Sequence, residues 1–228
     1  MPNLNRFVIS LGGSLIVPDE IDVKFLREFK KIIEAQIKPG KKFLLITGGG
    51  RTSRRYSEAA KVLGDLNPDD LDWLGIHSTR LNGHLLRTIF RKNAHSRIIT
   101  NPHRPEAANE PIVIAAGYRP GWSTDYDAVL LARKYQSTTV LNLSNIDYVY
   151  DKDPKKFRDA KPLKQISWHD FRKIVGNKWD PGLNAPFDPV ASKLAEKLRL
   201  KVVVMNGKKL NNLKNFLSGK KFNGTVIG

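Results

Sequence analysis

Short apolar segments alternate with amphipathic segments along the chain, and this alternation constrains the possible folds more than any other feature of the sequence. In residues 22–37, for example, Phe25, Phe29, Ile32 and Ile33 recur at helical spacing. Strands separated by helices predict a mostly parallel sheet covered on both faces, which is a three-layer α/β/α sandwich. The predicted strands are residues 6–11, 42–47, 112–116, 138–143, 201–205 and 224–227. The predicted helices are residues 22–37, 52–63, 68–91, 124–135, 167–175, 188–199 and 208–217.

The size and charge of the chain limit its domain number and its partners. With 228 residues, it has the length of one α/β domain, and we predict a single domain over residues 1–228. The net charge is +17, from 39 Lys and Arg against 22 Asp and Glu, and a basic surface attracts polyanions. The basic residues form short doublets along the chain, such as Lys30 with Lys31, and no basic tail. This spread disfavours specific nucleic-acid binding.

The composition excludes several kinds of site. The chain has no cysteine, which excludes a disulfide framework, a cysteine zinc site and a thiol nucleophile. The N-terminal residues lack the apolar core of a signal peptide, and no apolar run approaches the ~20 residues of a membrane span. We therefore expect a soluble, cytoplasmic protein that makes no membrane contact. The five histidines show no HExxH pattern, and we predict no metal site made of protein ligands alone.

Two glycine clusters follow the first two predicted strands. The clusters are Gly12, Gly13 and Ser14 after the first strand, and Gly48, Gly49 and Gly50 after the second. Ligands of open α/β sheets bind beyond the carboxyl ends of the strands, and glycine lets backbone N–H groups approach phosphate oxygens. Either cluster alone is also typical of a tight turn between a strand and a helix. Together they indicate facing sites for two phosphate-bearing ligands, and neither matches the Walker or GxGxxG pattern.

Polar residues mark the starts of two later helices. The loop after the third strand ends in Ser123, Thr124 and Asp125, at the beginning of a predicted helix. Ser123 has a side chain suited to an N-cap. Asp188 has one too, and it precedes Pro189 at the start of another predicted helix. Taken by themselves, these residues predict only capped helices.

In order and spacing, the motifs of this chain resemble those of the uridylate kinases of archaeal type, which belong to the amino-acid-kinase superfamily. The motifs are GGS at 12–14, GGGxxxR at 48–54, STD at 123–125, NxDxVYxxDP at 145–154, FDPxAxK at 187–193 and NGT at 223–225. The resemblance extends over residues 7–227. It implies the amino-acid-kinase fold, also called carbamate-kinase-like. It also implies transfer of a phosphoryl group from ATP to UMP, a step of pyrimidine nucleotide biosynthesis.

The resemblance implies roles for individual residues. The implied UMP-binding residues are Gly48, Gly49, Gly50, Arg54, Asp72 and Thr124. The implied ATP-binding residues are Gly12, Gly13, Ser14, Asn145, Tyr150 and Asp153. The implied catalytic residues are Asp125, Asp188, Gly12 and Gly13. A guanidinium suits the UMP phosphate because it can donate two parallel hydrogen bonds. Residues 1–135 then form the acceptor side of the domain, and residues 136–228 the ATP side.

The resemblance also implies a cofactor and an assembly. Mg²⁺ would arrive with ATP and offset its charge. The protein would form a hexamer built as a trimer of dimers, with the long helix from about Pro68 at the dimer contact.

Three positions depart from the pattern of the family. Many members carry a lysine where Ser10 stands, and that lysine would neutralise the transferring phosphate. Tyr148 stands where glycine is usual, and the segment at Gly117 replaces a threonine near the uracil, which leaves the contacts of the base open. Lys193 is the best substitute cation by sequence, but its position equally fits a solvated helix lysine.

Two alternative functions remain open at the level of sequence. The first is a kinase of the same superfamily with another acceptor, such as isopentenyl phosphate or acetylglutamate. Residues 51–54 are RTSR instead of the SFGH usual for isopentenyl phosphate, and Arg54 with Asp72 suits a nucleotide better. The second is a non-catalytic protein that binds a nucleotide or an oxyanion, which the missing lysine at Ser10 supports.

Overall fold

The computed structural model describes residues 5–104, 107–178 and 185–228, which form an α/β fold around one large sheet. The strands are β1 (Arg6–Leu11), β2 (Lys42–Thr47), β3 (Ala94–Ile99), β4 (Ile112–Ala115), β5 (Thr139–Ser144), β6 (Val149–Tyr150), β7 (Pro162–Leu163), β8 (Gln165–Ile166), β9 (Lys201–Asn206) and β10 (Thr225–Ile227). The helices are α1 (Gly13–Ile16), α2 (Val23–Ile37), α3 (Gly50–Leu63), α4 (Pro68–Ile89), α5 (Thr124–Lys134), α6 (Trp168–Val175), α7 (Pro189–Lys197) and α8 (Leu210–Leu217).

The large sheet has eight strands in the order β3-β4-β2-β1-β5-β9-β10-β8, and β6 pairs with β7 in a separate sheet. In the described ranges, the strands of the large sheet pair in parallel, except that β10 runs antiparallel to β9. This confirms the predicted mostly parallel sheet. Leu11 at the end of β1 pairs with Thr47 of β2 and with Leu143 of β5. The loops after these three strands therefore leave the sheet at the same edge.

Side chains alternate between the two faces of the sheet and form two cores. On β1, Ile9 and Leu11 belong to a core completed by helices α2, α4 and α8. Val8 belongs to a second core, completed by α5, α6 and α7. Successive side chains of a strand point to opposite faces, so two cores require helices on both sides. The predicted three-layer sandwich is confirmed.

Helix α3 differs from the other long helices because it lies outside both cores. None of its residues is buried, and it packs against α4 and α1 at the edge of the molecule. Its amphipathic sequence predicts a helix correctly, although the structure starts it at Gly50, two residues before the predicted start.

Some elements have no counterpart among those that the sequence predicts. Strand β3 lies at the edge of the sheet, and of its six residues only Ala94 and Ile99 are buried. An edge strand with such a polar surface lacks the continuous apolar run that marks a central strand. Strands β6, β7 and β8 have two residues each. None of the helices in the described ranges combines the length and the hydropathy that a membrane span requires.

Candidate active site at the carboxyl edge of the sheet

The two predicted glycine loops meet backbone to backbone. A side chain at Gly13 would place its Cβ 2.0 Å from the backbone N of Gly50, and one at Gly48 would lie 2.5 Å from the N of Gly13. Gly50 also has a φ of +66°, which favours glycine. The Gly48 N–H donates to the Leu11 carbonyl at 3.0 Å, which joins the two strand ends. The glycines are therefore required for this close approach, which brings the two expected phosphate sites side by side.

Asn82 of helix α4 supports the second glycine loop from behind. This side chain is 3% exposed, and its Nδ2 donates to the Gly48 carbonyl at 2.8 Å and to the Gly49 carbonyl at 3.3 Å. Sequence reasoning does not select Asn82. The available signal is its spacing, since it lies on the same helix face as buried Thr79 and Leu86.

A chain of polar contacts joins strand β1 to helices α5 and α7 next to the glycine loops. Ser10 of β1 is 5% exposed and donates from its hydroxyl to Oδ1 of Asp125 at 3.0 Å. The other carboxylate oxygen of Asp125 accepts from the Asp188 N–H at 3.3 Å. Two of the predicted catalytic residues, Asp125 and Asp188, are thereby brought together. The sequence does not predict the contact with Ser10.

Asp188 combines a capping contact with a position in the cleft. Its Oδ1 accepts from the Ala191 N–H at 2.6 Å, so it caps helix α7 as its sequence context predicts. Its side chain also borders a cavity of about 130 Å³. The cavity is lined by Gly121, Trp122, Ser123, Tyr126, Asp188 and Val190. Asp188 therefore lies where the starts of α5 and α7 converge.

Removal from water raises the pKa of Asp125 to about 6. The negative charge of Asp188 contributes to this rise, whereas the hydrogen bonds from Ser10 and from the Asp188 backbone favour the ionised form. Paired carboxylates in a cleft are a common arrangement at sites that bind cations or phosphate–metal complexes.

The loop between β4 and α5 is held by a side chain of helix α4. Oδ2 of Asp72 accepts from the Gly121 N–H at 2.8 Å. Gly121 has a φ of +77°. Asp72, predicted to bind UMP, thus also holds the loop that leads to Thr124, which begins helix α5 after the Ser123 cap.

Aromatic side chains cluster on this loop. The Trp122 ring lies 4.6 Å from the Tyr126 ring and 5.6 Å from the Tyr118 ring, both edge to face. The guanidinium of Arg119 lies 4.6 Å from the Trp122 ring centroid. His103 adds a further ring 5.5 Å from Trp122. Edge-to-face contacts between rings are favourable, and Trp122 and Tyr126 of this cluster line the cavity at Asp188.

The predicted cationic residues lie on the surface. Arg54 on α3 is exposed, whereas its neighbour Arg55 pairs with Asp19 at 2.7 Å and with Glu20 at 3.3 Å. Lys193 on α7 is also exposed. This position agrees with the interpretation of Lys193 as a solvated helix lysine.

The residues predicted for the ATP nucleoside lie at the end of β5 and beyond it. Asn145 is exposed and accepts from the Ser144 hydroxyl at 3.4 Å. Tyr150 lies in β6, and the Asp153 carboxylate accepts from the Lys155 N–H at 2.9 Å, which forms a surface turn. Ser14 is in the single turn of α1, directly after the first glycine pair. The side-chain contacts of Asn145 and Asp153 are thus local. The end of β5 before Asn145 lies against the first glycine loop, because the Gly12 N–H donates to the Leu143 carbonyl at 3.0 Å.

Known proteins resemble this chain over nearly its whole length. The model of the amino acid kinase family matches residues 5–206. The uridylate kinase of Thermoplasma volcanium is 34% identical over 222 residues, 93% of each chain. That of Sulfurisphaera tokodaii is 30% identical and covers 97% of this chain and 98% of its own. The solved uridylate kinase of Archaeoglobus fulgidus has a TM-score of 0.82 at 31% identity, with 97% of this chain and 99% of that chain covered.

Proposed function

The chain belongs to the amino acid kinase family, and from this premise we propose that it transfers the γ-phosphoryl group of ATP to UMP, giving ADP and UDP. Relatives that are 30–34% identical over at least 93% of their length are uridylate kinases. Fold alone does not fix a substrate, so the assignment rests on these relatives and on the geometry of the cleft.

The observation that carries the proposal is the contact between the two glycine loops. Gly13 and residues 48–50 approach so closely that neither could carry a side chain. Two phosphate-bearing ligands seated on these loops would face each other at short distance. Phosphoryl transfer depends mainly on such positioning and on neutralisation of charge. An oxygen of the UMP phosphate would attack the γ-phosphorus in line, and the bond to the β–γ bridging oxygen would break.

Charge at the transfer point would be managed by backbone and carboxylate groups of the chain. The backbone N–H of Gly13 would donate to a phosphate oxygen, whereas the predicted donor at Gly12 already donates to the Leu143 carbonyl at 3.0 Å. Asp125 and Asp188 would orient the cations that accompany the phosphates. The Ser10 hydroxyl would act on Asp125 and not on the phosphate, because it already donates to that carboxylate.

The donor groups of the cleft fit a magnesium ion that arrives with ATP. In the described ranges, no group of three or more His, Asp or Glu side chains could hold a metal ion. Mg²⁺ at kinase sites is usually bound by one or two carboxylates together with substrate phosphates. Asp125 and Asp188 are adjacent and supply such a pair. A bound Mg²⁺ would offset the negative charge of the phosphates during transfer.

The acceptor would bind to the N-terminal part of the chain and ATP to the C-terminal part. Residues 1–135 contain the second glycine loop, Arg54, Asp72 and Thr124, and residues 136–228 contain Asn145, Tyr150 and Asp153. The reaction uses two soluble nucleotides, and we place it in the cytoplasm.

A turnover assay tests the proposed function against its alternatives. Purified protein is incubated with MgATP and one acceptor at a time from a set that includes UMP, CMP, dCMP, isopentenyl phosphate and acetylglutamate. UMP should be the best acceptor, with CMP and dCMP far weaker. If isopentenyl phosphate or acetylglutamate is turned over as fast as UMP or faster, UMP is not the preferred substrate and the proposal is wrong. Binding of UMP and ATP without any turnover would instead identify a non-catalytic protein.

Exposed apolar side chains on helices α3 and α4 favour self-association of the protein. Exposed apolar side chains lie on α3 at Tyr56, Val62 and Leu63, with exposed fractions of 61%, 85% and 86%. Trp73 and Leu81 of α4 are 39% and 63% exposed. Apolar surface of this kind is typical of protein interfaces. The proposed hexamer, a trimer of dimers with α4 at the dimer contact, predicts six times the mass of 25.7 kDa by light scattering.

A further inference from the structure

Side chains of helix α4 bind the backbone groups at the start of the loop from Gly117 to Gly121. The Gly117 N–H donates to the Thr79 hydroxyl at 2.8 Å, and its carbonyl accepts from Nε of Arg80 at 3.2 Å. Nη2 of Arg80 donates to the Tyr118 carbonyl at 2.9 Å. These groups are therefore occupied within the protein and are not free to bind a ligand.

Asp127 completes this set of contacts from the opposite side. Its Oδ2 accepts from the Tyr118 N–H at 3.1 Å, so Arg80 and Asp127 grip the two ends of the same residue. Arg80 comes from α4 and Asp127 from α5. We call these two side chains the loop clamp. Arg80 makes its hydrogen bonds to the loop as a charged donor, and such bonds are stronger than those between neutral groups.

Burial of the Asp127 carboxylate calls for an explanation. The residue is 0% exposed, and its Oδ1 has no hydrogen-bond partner in the described part of the chain. Asp127 also lies two positions after Asp125 on the same helix, about 200° around the axis, so it faces away from the pair formed by Asp125 and Asp188. An ionisable group is rarely kept fully buried unless it is paired or has a function. Its hydrogen bond is to the loop, and its charge partner is Arg80.

We propose that Arg80 and Asp127 are positioning residues for the acceptor nucleotide. They hold the segment at Tyr118 so that the loop, with Trp122 and Thr124, keeps the shape that the acceptor requires. The inference rests on the proposed function, since it assumes that this loop borders the acceptor. Both side chains bond to the loop and not to the glycine loops, so the clamp acts on binding of the acceptor and not on ATP.

Steady-state kinetics of clamp variants test the effect on the acceptor. Arg80→Met and Asp127→Ala should each raise the KM for UMP about tenfold, the usual effect of losing a hydrogen bond to a charged group, and leave the KM for ATP within about twofold. The double variant should be little worse than the worse single variant, because both contacts act on Tyr118. Asp127→Asn keeps an acceptor for the Tyr118 N–H and should restore most of the UMP affinity.

A matched control separates the clamp from general loss of stability. Val129 lies on the same helix and is also 0% exposed, but it packs in the core. Val129→Ala should lower the melting temperature and leave both KM values unchanged. An equal rise in the KM for UMP in this variant, or equal rises for UMP and ATP in the clamp variants, would overturn the proposal.

Amide hydrogen exchange tests the clamp independently of the substrate. In Arg80→Met and Asp127→Ala, peptides covering residues 117–122 should exchange at least about tenfold faster, by the same reasoning, while residues 48–50 keep their protection. Unchanged exchange at 117–122 would overturn the clamp even if UMP proves to be the substrate. Faster exchange in a protein that does not phosphorylate UMP would leave the clamp intact and refute the proposed function alone. If Asp127→Ala does not fold, Arg80→Met alone gives the same decision, because it removes the hydrogen bonds to the Gly117 and Tyr118 carbonyls.

Discussion

The Ser10 hydroxyl donates a hydrogen bond to Oδ1 of Asp125 at 3.0 Å, linking the end of β1 to the first turn of α5. Ser10 stands where many members of the family carry a lysine, and its contact shows what the smaller side chain does here. A hydroxyl donor favours the ionised carboxylate and fixes its direction. The cleft therefore keeps Asp125 in place without a positive charge at position 10.

Ser10→Ala should shift the pH dependence of the reaction. The pKa of Asp125 is already raised to about 6 by removal from water and by Asp188, and loss of the Ser10 donor should raise it further. If ionised Asp125 is required, kcat/KM falls as pH drops through this pKa, so the acid limb should move up by about one pH unit. The rate at pH 8 should change little.

Ser137→Ala is the control for this experiment. Ser137 is 3% exposed and donates to the Arg6 and Thr139 carbonyls, away from the cleft. The control should keep the acid limb of the parent enzyme. The same acid limb in Ser10→Ala would mean that Asp125 does not set the pH dependence.

Asp188→Asn separates a capping role from a catalytic one. Oδ1 of Asp188 accepts from the Ala191 N–H at 2.6 Å, and asparagine caps a helix about as well as aspartate. The melting temperature should therefore change by no more than a few degrees. If the charge of Asp188 orients cations at the phosphoryl group, kcat should fall by at least about a hundredfold. Full retention of kcat would show that Asp188 only caps helix α7 and has no catalytic role.

The fold is largely predictable from the sequence, because strand and helix periods are local patterns. Central strands such as β2 are continuous apolar runs, and the capping residue Asp188 is recognisable before Pro189. The edge strand β3 escapes prediction because its surface is polar. Its pairing with β4 is a tertiary contact that the local sequence does not encode.

The site is predictable only in part. Glycines are recognisable because the backbone demands them, as at Gly50 with its positive φ. The contacts of Asn82, Arg80 and Asp127 join residues that are 9 to 38 positions apart in the chain. Single-sequence patterns do not give such pairings. A buried polar residue on an apolar helix face, as at Asn82, is the nearest signal.

Arg54→Ala should weaken UMP binding much more than ATP binding. Arg54 is exposed on α3, four residues after Gly50, and a guanidinium grips a phosphate through charged hydrogen bonds. Loss of such a bond costs about 1.5–3 kcal/mol, which is roughly a tenfold to hundredfold rise in the KM for UMP. Arg55→Ala is the matched control, because Arg55 pairs with Asp19 and Glu20. Equal KM values for UMP in the two variants would show that Arg54 does not contact the UMP phosphate.

Asp127→Asn should change how stability depends on pH. Burial raises the pKa of Asp127 to about 7 from 3.8, so the folded state binds a proton more readily than the unfolded state. This group therefore destabilises the fold increasingly as pH rises from about 4 to about 7, and the effect disappears at lower pH. The asparagine side chain carries no charge, so the variant should gain melting temperature relative to the parent at pH 8 and gain little at pH 4.5. A constant difference across this range would show that the carboxylate titrates elsewhere.

The cation at the transfer point is expected to be Mg²⁺ and not Lys193. Lys193 is exposed on α7, five residues after Asp188, and at about 100° per residue it does not share the direction of the capping side chain. We expect Lys193→Met to lower kcat by less than about threefold, as is usual for a solvated surface lysine. Removal of divalent metal with EDTA should instead abolish turnover, and added Mg²⁺ should restore it, because the ion offsets the charge of the phosphates. Lys197→Met on the same helix is the matched control. A loss of kcat by orders of magnitude in Lys193→Met alone, with the melting temperature kept, would identify Lys193 as the cation that replaces the lysine missing at Ser10.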